Sequence, residues 1–171
     1  FRSVEQYVYG VQAGEILQKI HSIPAPDNVP DWAERFNAKA SRKIEIFRSC
    51  PIQFEGGEAI IAYIEENCGL LENRPQCFQH GDYHVGNMML DRAGKLRIID
   101  FDRYDFGDPW EEFNRIPWCA QASPHFATGL LNGYFGGEPP MEFWRLLALY
   151  LGSNLLSSVS WAIPFGQGEI D

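Results

Sequence analysis

The chain has 171 residues, 45% of them hydrophobic and 14% aromatic, with a formal net charge of −9 and a pI near 4.9. That is enough apolar side chain for one sizeable core, so residues 1–171 read as a single domain, and the acid excess argues against nucleic acid while leaving room for a cationic partner. No apolar run approaches the roughly 20 residues of a transmembrane helix and no signal peptide is evident, which reads as a soluble, cytoplasmic protein.

In chain order, Ser3 followed by Gln6 offers a capping box, and Val4, Val8, Val11, Leu17 and Ile20 form an interrupted apolar stripe, so a helix is expected over about 3–21, ended by Pro24 and Pro26. Trp32, Phe36, Ala40, Ile44 and Phe47 recur at near-fourfold spacing and predict a second helix, stopped by Pro51, with Lys39, Arg42, Lys43 and Arg48 on its solvated face. A third, from about Glu58 to Asn67, buries Ile60, Ile61 and Ile64. The texture then changes. Gln76–Gln79, Met88–Leu90 and Leu96–Phe101 are short, apolar and bounded by turn residues, and read as strands, the last two joined by a hairpin turn at Asp91-Arg-Ala-Gly94. Asp108-Pro-Trp-Glu111 combines a cap, a proline at the first helical position and an acid at the third, a helix start. Pro124–Tyr134 and Pro140 to about Ile163 read as two more helices around a Gly136-Gly137-Glu138-Pro139 turn. The last is apolar on more than one face through Phe143, Trp144, Leu146, Leu147, Leu149, Leu151 and Leu155, breaks near Gly152 and ends at Pro164. The four cysteines, Cys50, Cys68, Cys77 and Cys119, have no metal-finger spacing and read as reduced core or boundary thiols. No internal repeat is present.

The chemistry concentrates between Cys77 and Asp102. His80-Gly81-Asp82-x-x-x-x-Asn87 has the spacing of a kinase catalytic loop with Gly81 in place of the usual arginine, and Asp100-Phe101-Asp102 falls where a metal-binding D-F-G would. Phosphoryl transfer asks for a carboxylate to take the acceptor's proton, here Asp82, and for hard oxygen ligands to hold Mg²⁺ against the nucleotide phosphates, here Asn87 and Asp100. These groups are expected on a loop between strands and at a strand's end. Two other readings compete. His80-x-Asp82-x-His84 has donors suited to zinc or iron, as in a metal-dependent hydrolase, although the remaining histidines, His21 and His125, lie in unrelated helical contexts. A single D-x-x-x-x-N by itself would be turn chemistry alone.

The H-G-D-x-H-x-x-N run, followed by Ile99-Asp-Phe-Asp102 and Gly107-Asp108-Pro109, resembles the aminoglycoside phosphotransferase family, the antibiotic-resistance and small-molecule relatives of the protein kinases. The resemblance is sharp from about Cys77 to Phe113 and weaker over Leu17–Pro24. It implies an α+β, mainly helical, protein-kinase-like C-terminal lobe whose small β-hairpin region carries the catalytic loop. It further implies ATP or GTP with Mg²⁺ as cofactors, Asp82 as catalytic base, Asn87 and Asp100 as magnesium ligands, and His80 and Asp108 as supports. For Asp108 the helix cap is a complete structural account and is preferred. Asp102 stands where protein kinases have glycine, as this family commonly does.

A complete kinase-like site also needs a glycine-rich loop and a strand lysine paired with a helix glutamate. None of Lys19, Lys39, Lys43 and Lys95 has that setting. The expectation is therefore a C-terminal lobe that begins at Phe1 just after the interlobe hinge, with the N-terminal nucleotide-binding lobe as its missing partner and with negligible turnover alone. The acceptor is expected between the later helices, with Asp105, Glu111, Glu112, Glu138 and Glu142 as candidate acids for an aminoglycoside-like polyamine. Each has a solvated turn or helix charge as its plainer reading. Tyr104, Trp110, Trp118 and Trp161 read as core, though a ring beside a carboxylate also suits a sugar or quaternary amine. Choline, amino-alcohol, sugar and macrolide acceptors remain open, as does a non-catalytic kinase-like binding protein.

Overall fold

A computed structural model describes residues 2–163, which fall into two compact units, one within Phe1–Val29 and Pro75–Trp144, the other within Pro30–Arg74 and Arg145–Asp171. The elements run α1 (Ser3–His21), α2 (Trp32–Ser49), α3 (Gly57–Asn67), β1 (Cys77–Gln79), β2 (Met88–Leu90), β3 (Leu96–Ile98), β4 (Asp105–Gly107), α4 (Ile116–Ala122), α5 (Pro124–Phe135) and α6 (Met141–Ala162). The expected end of α6 at Pro164 lies outside the described residues.

The first unit is built on α1 against α5. Gly10 and Gly14 face Gly129 and Gly133, and a Cβ at any of the four would lie 2.2 Å from a backbone oxygen of the opposite helix. The two helices meet through their main chains, which only glycine permits. At the start of α1 the cap differs from expectation: Arg2 precedes the helix, and its N–H donates to Glu5 Oε2 at 2.8 Å, so the reciprocal acid is Glu5 rather than Gln6. Gln6 instead accepts from the hydroxyl of Ser123, which itself caps α5 by accepting from Phe126 N. Phe113, Tyr134, Phe135, Phe143 and Trp110 form an edge-to-face aromatic core beside this pair.

Two small antiparallel ladders complete the unit. β1 pairs with β4 through Phe78 and Phe106, and β2 with β3 through Met89 and Arg97. β4 is absent from the sequence expectation, and β3 stops at Ile98, short of the expected Phe101. Asp108 does not start an α-helix: its carboxylate accepts from Trp110 N at 2.9 Å to close a turn into a 3₁₀ segment, Glu111–Arg115, before α4 begins. Short 3₁₀ turns are common at the N-terminus of an α-helix, and this one leads directly into α4.

The second unit is simpler. α2 buries Trp32, Phe36, Ala40, Ile44 and Phe47, the expected stripe, under an Asp31 cap that accepts from Glu34 N. Trp32 Nε1 donates to the Tyr150 hydroxyl at 3.0 Å, and Phe36 packs edge-on to the same ring. On the polar side Lys39, Arg42 and Arg48 are exposed, while Lys43 is half-buried and donates to Asn154. Phe143, Leu146, Leu147 and Leu149 of α6 are buried as expected, but Trp144 and Leu155 are exposed, as are Tyr104, Trp118 and Trp161. Those five correct the expectation of core aromatics and an all-round apolar helix. All four cysteines are free. Burial pushes the Cys77 thiol up to about 12 and the Cys119 thiol up to about 11, so both stay neutral, whereas Cys68 is exposed.

Candidate active site

The loop from His80 to Asn87 is held by main-chain bonds from several directions. His80 is fully buried, and its ring bridges the loop: Nδ1 accepts from Asp82 N at 3.2 Å, and Nε2 lies 2.9 Å from the Ile99 carbonyl. A nitrogen that accepts and one facing a carbonyl fix the tautomer with the proton on Nε2. Behind the loop stands Glu112, 3% exposed, whose two oxygens accept from His80 N at 2.6 Å and Gly81 N at 2.9 Å. Its Oε2 also lies 3.6 Å from His21 Nε2, and His21 Nδ1 meets the Tyr134 hydroxyl at 2.9 Å. Tyr83 reaches the other way and donates to Ala13 O at 2.7 Å; burial raises its phenol, which stays a donor. The loop is thereby tied to both α1 and the 3₁₀ segment.

Gly81 explains its own identity. Its φ is +84°, and a Cβ would sit 1.8 Å from the Arg103 carbonyl oxygen, so no side chain fits. Asn87 closes the loop. Its Nδ2 donates to Asp82 O at 2.9 Å, which turns Oδ1 away as the free acceptor, and its main-chain oxygen accepts from Ile99 N at 3.0 Å. Ile99 therefore bonds His80 on one side and Asn87 on the other, and it immediately precedes Asp100. Asp100 is exposed and has φ +64°, an uncommon conformation for a side-chain-bearing residue and one that aspartate tolerates better than most. It lies two residues beyond the end of β3, directly before the turn closed by Tyr104 N donating to Phe101 O. One carboxylate and one amide oxygen are a hard donor set of the kind Mg²⁺ takes, with water and phosphate oxygens filling the rest.

Around the Asp82 carboxylate are three basic groups. Arg115 Nε is 3.1 Å and His84 Nε2 is 3.7 Å from Oδ1, and Arg103 Nη1 is 3.8 Å from Oδ2. The spacing of His80, Asp82 and His84 does not become a transition-metal site, because both His80 ring nitrogens are engaged and His84 Nδ1 accepts from Gly86 N. Among the described residues no three His, Cys, Asp or Glu side chains converge as metal ligands.

The candidate acceptor acids separate. Glu112 is sealed behind the loop, so the expectation that it meets an acceptor is corrected: its desolvated carboxylate is spent on two amides. Glu111 bonds Asn114 Nδ2, Asp105 accepts from Phe106 N, and Glu138 and Glu142 are exposed on the turn and first residues of α6. Asp108 is fully buried, and its carbonyl accepts from Gln79 Nε2 at 2.7 Å. Sequence reasoning misses the roles of Glu112, Arg115 and Trp118 because their partners His80, Asp82 and His84 lie some 30 residues away; an acid three residues after the Gly107-Asp108-Pro109 run is the one available signal. Hydrogen bonds to a charged group contribute about 1.5–3 kcal/mol, and glutamine would point an N–H at one of the two amides. Glu112→Gln is expected to lower the melting temperature by roughly 5–10 °C in scanning calorimetry, at about 2–4 °C per kcal/mol for a chain of this size. An unchanged melting temperature would mean the clamp does not hold the loop.

This arrangement, a mainly helical chain with a buried histidine and an acid-and-amide loop beside two short antiparallel ladders, is the kinase-like phosphotransferase fold. Solved structures agree: a choline/ethanolamine kinase family protein from Mesorhizobium loti (TM-score 0.67, 16% identity, 95% of this chain and 58% of that one), a thermostable mutant of aminoglycoside phosphotransferase APH(4)-Ia (0.66, 17%, 99% and 63%) and macrolide 2'-phosphotransferase type I (0.62, 14%, 95% and 56%). The chain spans about three fifths of the length of these structures. Residues 2–144 match the APH phosphotransferase enzyme family, and the chain belongs to that family. No curated protein matches it.

Proposed function

We propose that the chain is the C-terminal lobe of a nucleotide-dependent phosphotransferase that moves the γ-phosphate of ATP, or GTP, to a hydroxyl of a small molecule. The observation that supports the reading is the Ile99 main chain, which bonds both the His80 ring and the Asn87 carbonyl and immediately precedes Asp100. In this reading Asp82 takes the hydroxyl proton as the acceptor oxygen forms its bond to the γ-phosphorus, and the bond to the β,γ-bridging oxygen breaks with its electron pair leaving on the nucleoside diphosphate. Asn87 and Asp100 are the residues that would hold Mg²⁺, which when bound would supply charge neutralisation for the phosphates. His80 and Glu112 keep the loop in shape.

The family and the fold support a small-molecule acceptor; within that class an aminoglycoside or another amino-alcohol or sugar is the leading choice. Structures of this fold include a streptomycin–ATP ternary complex of APH(2")-IIa and an ADP and spectinomycin complex of APH(9)-Ia. The nucleotide-covering lobe is proposed to be supplied by residues outside this chain, which alone would turn over negligibly. An ATP-consuming reaction of this type belongs in the cytoplasm, and among the described residues no helix is long and apolar enough to cross a membrane. The test is ADP release by the full-length protein against aminoglycosides, choline, sugars and macrolides. Turnover on one class names the acceptor; Mg-ATP binding without turnover on any would favour a binding role, and neither would end the reading.

A further inference from the structure

The Asp82 main chain is fixed from both ends, by His80 at its N–H and Asn87 at its carbonyl, but neither contact sets the side chain. What sets it comes from another element. Arg115, the last residue of the 3₁₀ segment, brings Nε to 3.1 Å from Asp82 Oδ1. Both atoms are shut off from solvent and neither has a hydrogen-bond partner, so the N–H does not point along the line between them. The contact is a charge pair without a directional bond, and separating it would leave two buried charged atoms unserved. Its geometry then depends on what braces the guanidinium. That brace is Trp118, one turn on in α4: the Arg115 guanidinium carbon lies 4.7 Å from the indole centroid, and the same ring meets His84 edge-on at 5.2 Å. Trp118 is nevertheless 47% exposed, so core packing does not account for its place.

We infer that Arg115, braced by Trp118, is the positioning residue for Asp82: it pins the buried Oδ1 and thereby presents Oδ2 as the oxygen that meets the acceptor hydroxyl. Among the described residues the one ion pair to Oδ2 is that of Arg103, at 3.8 Å and from a side chain that is itself 68% exposed, which leaves that oxygen accessible to a substrate. The inference rests on the phosphotransferase reading for its kinetic consequence, but not for its structural one.

The experiment pairs the two. Arg115→Met and Arg115→Lys are made in the full-length protein, and the crystal structure of Arg115→Met is determined. The carboxylate is expected to leave its present orientation, and kcat to fall about 100-fold, the scale on which a misplaced catalytic group is felt, with the KM for ATP within about twofold. Lysine, which keeps a charge without the fork, should restore part of the rate. Trp118→Leu, which leaves the pair itself intact, should cost a smaller factor in kcat and serves if Arg115→Met does not fold. A carboxylate that stays put in Arg115→Met, or in Trp118→Leu if that is the variant that folds, overturns the inference whatever the kinetics; so does an unchanged kcat. Absence of turnover in the unmutated protein counts against the phosphotransferase reading alone, and the crystal structure still decides the role of Arg115.

Discussion

Asp82→Asn in the full-length protein is expected to lower kcat for the phosphorylated acceptor by roughly 10²–10⁴-fold, the range that a positioned base contributes. The substitution is nearly isosteric, and the contacts that shape the loop use the main chain of residue 82: its N–H to His80 and its carbonyl from Asn87. Both survive. What is lost is the proton acceptor and the charge opposite Arg115, so the effect should fall on the chemical step, with Mg-ATP affinity by calorimetry changed only slightly. If the asparagine variant keeps more than about a tenth of the rate, Asp82 orients the acceptor without deprotonating it.

The second large effect is on stability. Gly14→Ala places a methyl group 2.2 Å from Leu130 O and 2.5 Å from Tyr134 N, both backbone atoms that no rotamer change can move. Overpacking typically costs 1–3 kcal/mol, and a main-chain obstacle on two sides puts this site at about 3, against a gain of up to about 1 from the better helix former. A net loss of roughly 2 kcal/mol or more corresponds to a melting temperature lower by roughly 4–8 °C. Gly69→Ala, where nothing lies within 4 Å of the new Cβ, is the matched control and should leave the transition in place. Equal behaviour of the two variants would show that α1 and α5 tolerate separation.

How far the sequence carries depends on where each residue's partner lies. The buried stripe of α2 is readable because its five apolar residues and its Asp31 cap sit in one stretch and repeat at the helix period. The loop is readable through spacing alone, Asp82 to Asn87 and on to Asp100, and the Ile99 main chain next to Asp100 bonds both His80 and Asn87. β4 escapes notice because Asp105-Phe-Gly107 has the composition of a turn and gains strand character only from its pairing with β1. The cap of α1 is misplaced by one residue, since Ser3 fits the usual pattern and arginine does not. Glu112 and Arg115 look like ordinary surface charges until the fold sets one behind His80 and the other beside Asp82. Trp118, Trp161 and Tyr104 contradict their residue type, because apolar character predicts average burial and not the fate of a particular ring.

The two hydrogen bonds of the Ile99 peptide have a further meaning for how such a protein can change. They tie the Asp82-bearing loop to the main chain just before Asp100, through groups that every residue except proline carries at position 99. Arg115 and Trp118 belong to a separate stretch, whose side chains meet the Asp82 carboxylate and the His84 ring respectively. On the proposed reading, reaction geometry is written in the backbone and fine adjustment in replaceable groups, so a lineage could retune the accepted molecule one substitution at a time without first dismantling the loop.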